Sequence, residues 1–185
     1  MAWDAVAQAP DRQPGEGNPA FAPPGDQKVD GRTRETVRFN DADRLFLREA
    51  ALIAMAGTDA AHLGQQKRPG VAVAQFSERI MKDHAAFGQR LTSLTKDADM
   101  SVPATLDEER AAMLDELRGL TGPAFDRRFW MFQLAEHQKA VQLLSYEISS
   151  GLNAALRGLA SEVLPTVLNH LRHVQTNLTA AAGSQ

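Results

Sequence analysis

The sequence predicts an all-α protein: a four-helix bundle with an extra short helix, preceded by an extended Pro/Gly-rich N-terminal arm. Three observations predict it. Apolar residues recur at spacings of three and four along four long segments after residue 40. No segment sustains the period-two alternation of a strand. Residues 1–40 hold five of the nine prolines (Pro10, Pro14, Pro19, Pro23, Pro24) and four of the thirteen glycines. Each proline removes a backbone donor and fixes φ, which disfavours both helix and inner strand. The predicted organisation is an arm over 1–40, a bundle over 41–180 and a tail over 181–185.

The first long helix follows Asn40, with Asp43 three residues later in capping-box spacing. It stops before Pro69, and one of its faces is small: Ala50, Ala54, Gly57, Ala61. Pro69 is placed to open the second helix in its first turn. That helix carries Val73, Phe76, Ile80, His84, Phe87, Leu91 and Leu94 on one stripe. Thr105 and Glu108 have capping-box spacing for the short helix, which Gly119 and Gly122 end. Pro123 opens the third long helix, striped by Trp130, Leu134, His137, Val141, Leu144 and Ile148, with Gly151 as its C-terminal glycine. Asn153 caps the last, striped by Leu156, Leu159, Val163, Val167, His170 and Val174, with Pro165 inside it as an expected kink.

Composition bounds the function. Twenty basic and 23 acidic residues give a net charge of −3, without the basic excess of a nucleic-acid binder. With no cysteine, disulfides, thiolate metal sites and Cys nucleophiles are excluded. No apolar stretch approaches the ~20 residues of a membrane helix. The opening residues lack the basic start and apolar run of an intact secretory signal, and a mature chain after cleavage reads the same way.

The residues that can carry chemistry are histidines. His84, His137 and His170 fall on the apolar stripes of three different helices, and His62 lies near the end of the first, one turn after Asp59. Imidazoles on facing helices can converge on a metal. The commoner role of a lone stripe histidine is a half-buried ring hydrogen-bonded across the bundle. The carboxylate-bridged di-iron pattern, Glu-x-x-His, is missing: Met81 precedes His84 by three, Leu134 precedes His137 and Val167 precedes His170. Asp83 and Glu136 adjoin their histidines, so they point about 100° away around the helix, and any carboxylate partner must come from another helix.

Other signals are weaker. Phe125, Phe129, Trp130 and Phe132 crowd one helix: part is core, and the excess, which wraps too far around for a single stripe, suggests a contact patch. Ser149 and Ser150 lack the partners of a nucleophilic triad, and no phosphate-cradling Gly-x-x-x-x-Gly-Lys occurs. The methionines read as core filler. In the arm, Trp3 and Phe21 are the natural aromatic anchors for a partner, joined by Phe39 and by Trp130 of the bundle.

The run FSERIMKDHAAFGQRL, then LTGPAFDRRFWMFQLAEHQKAVQLL, then LASEVLPTVLNHLRHV resembles the ferritin-like domain of unknown function of exported bacterial proteins, a family whose members are often labelled outer-membrane proteins. The resemblance covers about residues 42–178 and implies export with a cleaved signal. Members usually carry a glutamate before a Leu-Gly in the first helix. Here Leu63-Gly64 is present, and the glutamate position falls on Ala60. The Pro-rich arm with VRFNDADRLFLREAALI also resembles the small third subunit of the membrane-bound quinohaemoprotein alcohol dehydrogenase of acetic-acid bacteria. That resemblance implies a non-catalytic periplasmic accessory subunit, not itself an enzyme. It would be held at the outer face of the inner membrane by a larger subunit. Pyrroloquinoline quinone and haem c would belong to the partner subunits, with no cofactor in this chain. The alternative is a stand-alone periplasmic metal-binding or stress-related bundle using the core histidines.

Overall fold

A computed structural model describes residues 39–67, 69–96 and 102–183. Among them are five helices and no strand: α1 (Asp41–Gln66), α2 (Val71–Thr95), α3 (Glu108–Gly119), α4 (Gly122–Ser150) and α5 (Ala154–Gly183). The four long helices pack as a bundle, α1 on α2 and α4, and α4 on α5, with α3 laid against α1 and α4. The arm, with Trp3 and Phe21, lies outside the described residues.

The first junction forms as its residues dictate. Asn40 Oδ1 accepts from the Asp43 N–H (3.0 Å) and Asp43 Oδ2 accepts from the Asn40 N–H (2.6 Å), completing the capping box. The Asp43 carboxylate also accepts from the N–H groups of Leu152 (3.2 Å) and Asn153 (3.0 Å). One buried side chain therefore starts α1 and holds the α4–α5 turn. Asn153 Oδ1 accepts from Ala155 and Leu156 N–H, both at 3.0 Å, capping α5 as expected.

Two expected boundaries differ, and Gly151 falls where it was expected. Pro69 lies before α2, which starts at Val71 behind an N-cap glycine, Gly70. Gly70 is tied instead to Asp126, whose carboxylate accepts its N–H at 2.9 Å. The cap of α3 is Asp107, not Thr105: its carboxylate accepts from Arg110 N–H at 2.8 Å. Gly151 ends α4 with an ordinary negative φ of −64°. It is glycine for closeness, since a Cβ there would lie 2.2 Å from Glu147 Oε1.

The core has two clusters. One gathers Phe76, Phe129, Trp130, Phe132 and Val174 with Leu114 and Leu117 of α3. The other gathers Phe46, Leu47, Leu91, Leu144, Leu156 and Leu159. The aromatic excess of α4 is consequently core and not a contact patch: Trp130 is 4% exposed and Phe125, Phe129 and Phe132 at most 1%. The reason is α3, which covers the flank of α4 that a four-helix count leaves open. Phe39 is half-buried against the second cluster rather than free for a partner.

Two flanks of α4 are therefore buried, and polar residues come in with them. Arg110 of α3 enters the core with 5% of its side chain exposed and meets Glu136, 1% exposed, at 3.0 Å. Glu49 of α1 (3.2 Å) and Asp107 complete its partners. Burial alone would lower the Arg110 pKa, but the bonds and charge of Glu136 and Asp107 outweigh it and hold the guanidinium charged.

Candidate functional site: a histidine-lined cavity

Against the second apolar cluster lies a partly open cavity of about 190 Å³, walled by all four long helices. Its apolar sides come from Phe46, Ile53, Phe87, Leu144, Val163 and Val167; its polar residues are His84, His137, His170, Asp83, Arg90 and Thr166. The three stripe histidines thus meet, as their spacing predicts. The ring centroids of His84 and His137 lie 6.5 Å apart, those of His137 and His170 5.4 Å.

Each ring is oriented by a hydrogen bond through one nitrogen. His84 Nδ1 lies 3.1 Å from the Ala54 carbonyl oxygen and His137 Nδ1 2.8 Å from that of Gln133. A carbonyl can only accept, so both Nδ1 atoms carry the proton. His170 Nε2 lies 3.0 Å from the Asp83 carboxylate on α2, the cross-helix partner that the sequence reading required. The remaining nitrogens, Nε2 of His84 and His137 and Nδ1 of His170, then present lone pairs. None of the three has a hydrogen-bond partner among the described residues.

Electrostatics keeps the rings neutral. Burial lowers the His84 pKa to about 4, against the opposing Ala54 carbonyl. Burial lowers His137 to about 3, reinforced by the neighbouring His84 and His170. Burial also lowers His170, although Asp83 pulls the other way.

Packing fixes the first ring further. A Cβ on Gly57 would fall 2.4 Å from His84 Cε1, so the small face of α1 is the seat of this imidazole. His84 also lines an outer groove with Met55, Met81 and Thr105, and so stands between cavity and groove. Arg90 on α2 reaches Glu162 on α5 at 2.5 Å beside the cavity.

His62 is not brought in; it is exposed on α1. His173 is close instead: its ring stacks on Phe76 at 5.4 Å and 3°, and Phe76 also meets His137 and His170. The signal for it was the one-turn spacing from His170. No group of three or more His, Asp or Glu residues among the described residues is arranged to hold a metal ion. No described helix is long and apolar enough to cross a membrane.

The sequence reading missed the partners of the buried acids. Glu136 meets Arg110, and Glu147, fully buried, lies beside Asp43 with no donor of its own. Glu49, Arg110 and Glu136 belong to three helices, so no local spacing announces them.

Fold and site together define an all-helical bundle with a histidine-lined cavity. A family model for a domain of unknown function (DUF4142) matches residues 30–176, and the chain belongs to that family. No curated protein matches the chain, and no solved structure does.

Proposed function

We propose that the protein works by binding, as a non-catalytic accessory subunit of a larger periplasmic oxidoreductase. The observation that carries this reading is an exposed apolar strip on α1 and α4. Leu45 is 44% and Tyr146 47% exposed. They flank a groove with Ile53 and Leu143 at its base and Glu49 and Lys139 beside it. Apolar surface rimmed by charge is the usual composition of a protein contact. The strip lies at the end of the bundle that the chain enters at Phe39, where Asn40 Nδ2 donates to the Ser150 carbonyl at 2.7 Å. The ferritin-like resemblance supplies export, and the resemblance to the third alcohol dehydrogenase subunit supplies the partner class: a quinohaemoprotein carrying pyrroloquinoline quinone and haem c. Co-purification from native membranes tests it. Deleting residues 1–38, or Leu45→Glu with Tyr146→Glu, is expected to lose the partner while helical circular dichroism is kept. Undiminished co-purification of both variants refutes the reading.

A second reading has its own observation, the meeting of three imidazoles from α2, α4 and α5 on one cavity. It is a stand-alone metal-binding bundle, in which the rings turn to coordinate. It expects stoichiometric transition metal in the purified protein and none in His137→Ala. Equal, empty samples refute it.

A further inference from the structure

Asp43 and Glu147 meet where α1 begins and α4 gives way to α5, and neither is exposed to solvent. The Asp43 carboxylate is already engaged: it accepts from the backbone N–H groups of Asn40, Leu152 and Asn153. Glu147 lies within hydrogen-bond reach of Asp43, yet both of its own oxygens are buried without a donor. Gly151 opens this seat, since a Cβ there would fall 2.2 Å from Glu147 Oε1. From α5 the exposed Arg157 acts on Glu147 through charge, without a hydrogen bond. Two ionised carboxylates in contact repel strongly at a buried site, and a proton between them turns the repulsion into a hydrogen bond. The lone pairs of Asp43 serve three backbone donors, so the place for that proton is Glu147.

We propose that Glu147 and Asp43 form a proton-operated latch on the joint of α1, α4 and α5. With its proton, Glu147 donates to Asp43 and the joint is closed. Without it, two buried negative charges face each other, and opening the joint lets Glu147 reach water while Leu152 and Asn153 leave Asp43. The direction of the response follows from the groups around Glu147. Burial raises its pKa from 4.5 to about 7, Asp43 adds to the rise and Arg157 opposes it. In the opened joint the carboxyl is solvated and returns towards 4.5. The closed joint therefore holds more protons between pH 4.5 and 7, so opening is favoured as pH rises through that window and levels off above it. The latch stands independently of the accessory-subunit and metal readings.

Hydrogen exchange of the full chain, resolved by NMR, reads the Leu152 and Asn153 amides whose protons Asp43 accepts. After correction for intrinsic exchange, the wild-type opening constant is expected to rise by up to about tenfold per pH unit between 4.5 and 7 and to level off above. Glu147→Gln keeps a donor towards Asp43 at every pH. Its opening is expected to stay flat and, near pH 7.5, to be at least about tenfold lower than that of the wild type. Should the variant lose its helical signal, carbon NMR of the wild-type Glu147 carboxyl carries the test, with titration near 7 expected. A carboxyl that titrates near 4.5 overturns the proposal. So does wild-type exchange without the rise, or the same rise in Glu147→Gln. Calcium chloride added near pH 7.5 is expected to change nothing. If it closes the wild-type joint and not that of the variant, a metal cation and not a proton bridges the pair, and the proposal falls.

Discussion

Gly57 and Arg110 show how single residues hold this interior. At Gly57 the His84 ring occupies the space a methyl group would take. Gly57→Ala gains about 1 kcal/mol of helix propensity but forces the ring or the helix aside. The expected net is a loss of about 1–2 kcal/mol, read from the urea midpoint, together with a disturbed His84 NMR signal. Arg110→Ala leaves Glu136 buried with Lys139 alone, 3.3 Å away, as its counter-charge. A loss of about 3 kcal/mol is expected by urea denaturation, and an Arg110→Met, Glu136→Leu pair should restore most of it.

At the scale of elements, the junction of α1 with the α4–α5 turn rests on Asp43. Asp43→Ala removes the acceptor of the Asn40 N–H, one half of the α1 capping box, worth about 1 kcal/mol. It also strands the N–H groups of Leu152 and Asn153, each costing about 1 kcal/mol or more. A total loss of about 2–4 kcal/mol is expected in thermal melts. Hydrogen exchange should speed first at residues 151–156 and in the opening turn of α1. Pro165 sits within α5 and is exposed, so the donor it lacks is removed on the outer side of the bundle.

For the whole molecule, buried titratable groups act in opposite senses. The folded pKa values of His84 and His137 lie below the unfolded value of 6.5, at about 4 and about 3. The unfolded chain therefore binds more protons below pH 6.5, and these two groups destabilise the fold as pH falls from 6.5 towards 4. Glu147 is the reverse. Burial, with Asp43 beside it, raises its pKa from 4.5 to about 7. It holds a proton in the folded state that the unfolded state releases, so its contribution is lost as pH rises from 4.5 to 7. Two strongly shifted histidines, with His170 and His173 lowered in the same direction, outweigh one glutamate. The melting temperature is expected to fall between pH 6.5 and 4.5. Glu147→Gln should raise it at pH 8 relative to wild type and do least at pH 4.5. A flat profile for the wild type would contradict the burial of the rings.

The elements were legible because each is written locally. Periodicity gave four stripes, Asn40 and Asn153 gave caps, and Pro123 gave the start of α4. The meeting of His84, His137 and His170 was legible too, since each ring shares a stripe with the core. What stayed hidden depends on which helix lies against which. Phe125 and Phe132 read as surplus to the stripe until they are found in the core cluster that α3 joins, and Glu136 has no visible partner until Arg110 arrives from another helix. Asp107 displaced Thr105 as a cap because its carboxylate serves both the Arg110 N–H and the Arg110 guanidinium. The sequence by itself determined the helices and the inward histidines, since spacing along one helix sets what shares a face. Only the tertiary structure decided the cavity, the protonated nitrogen of each ring and the partners of the buried acids. Those follow from contacts between helices distant in sequence.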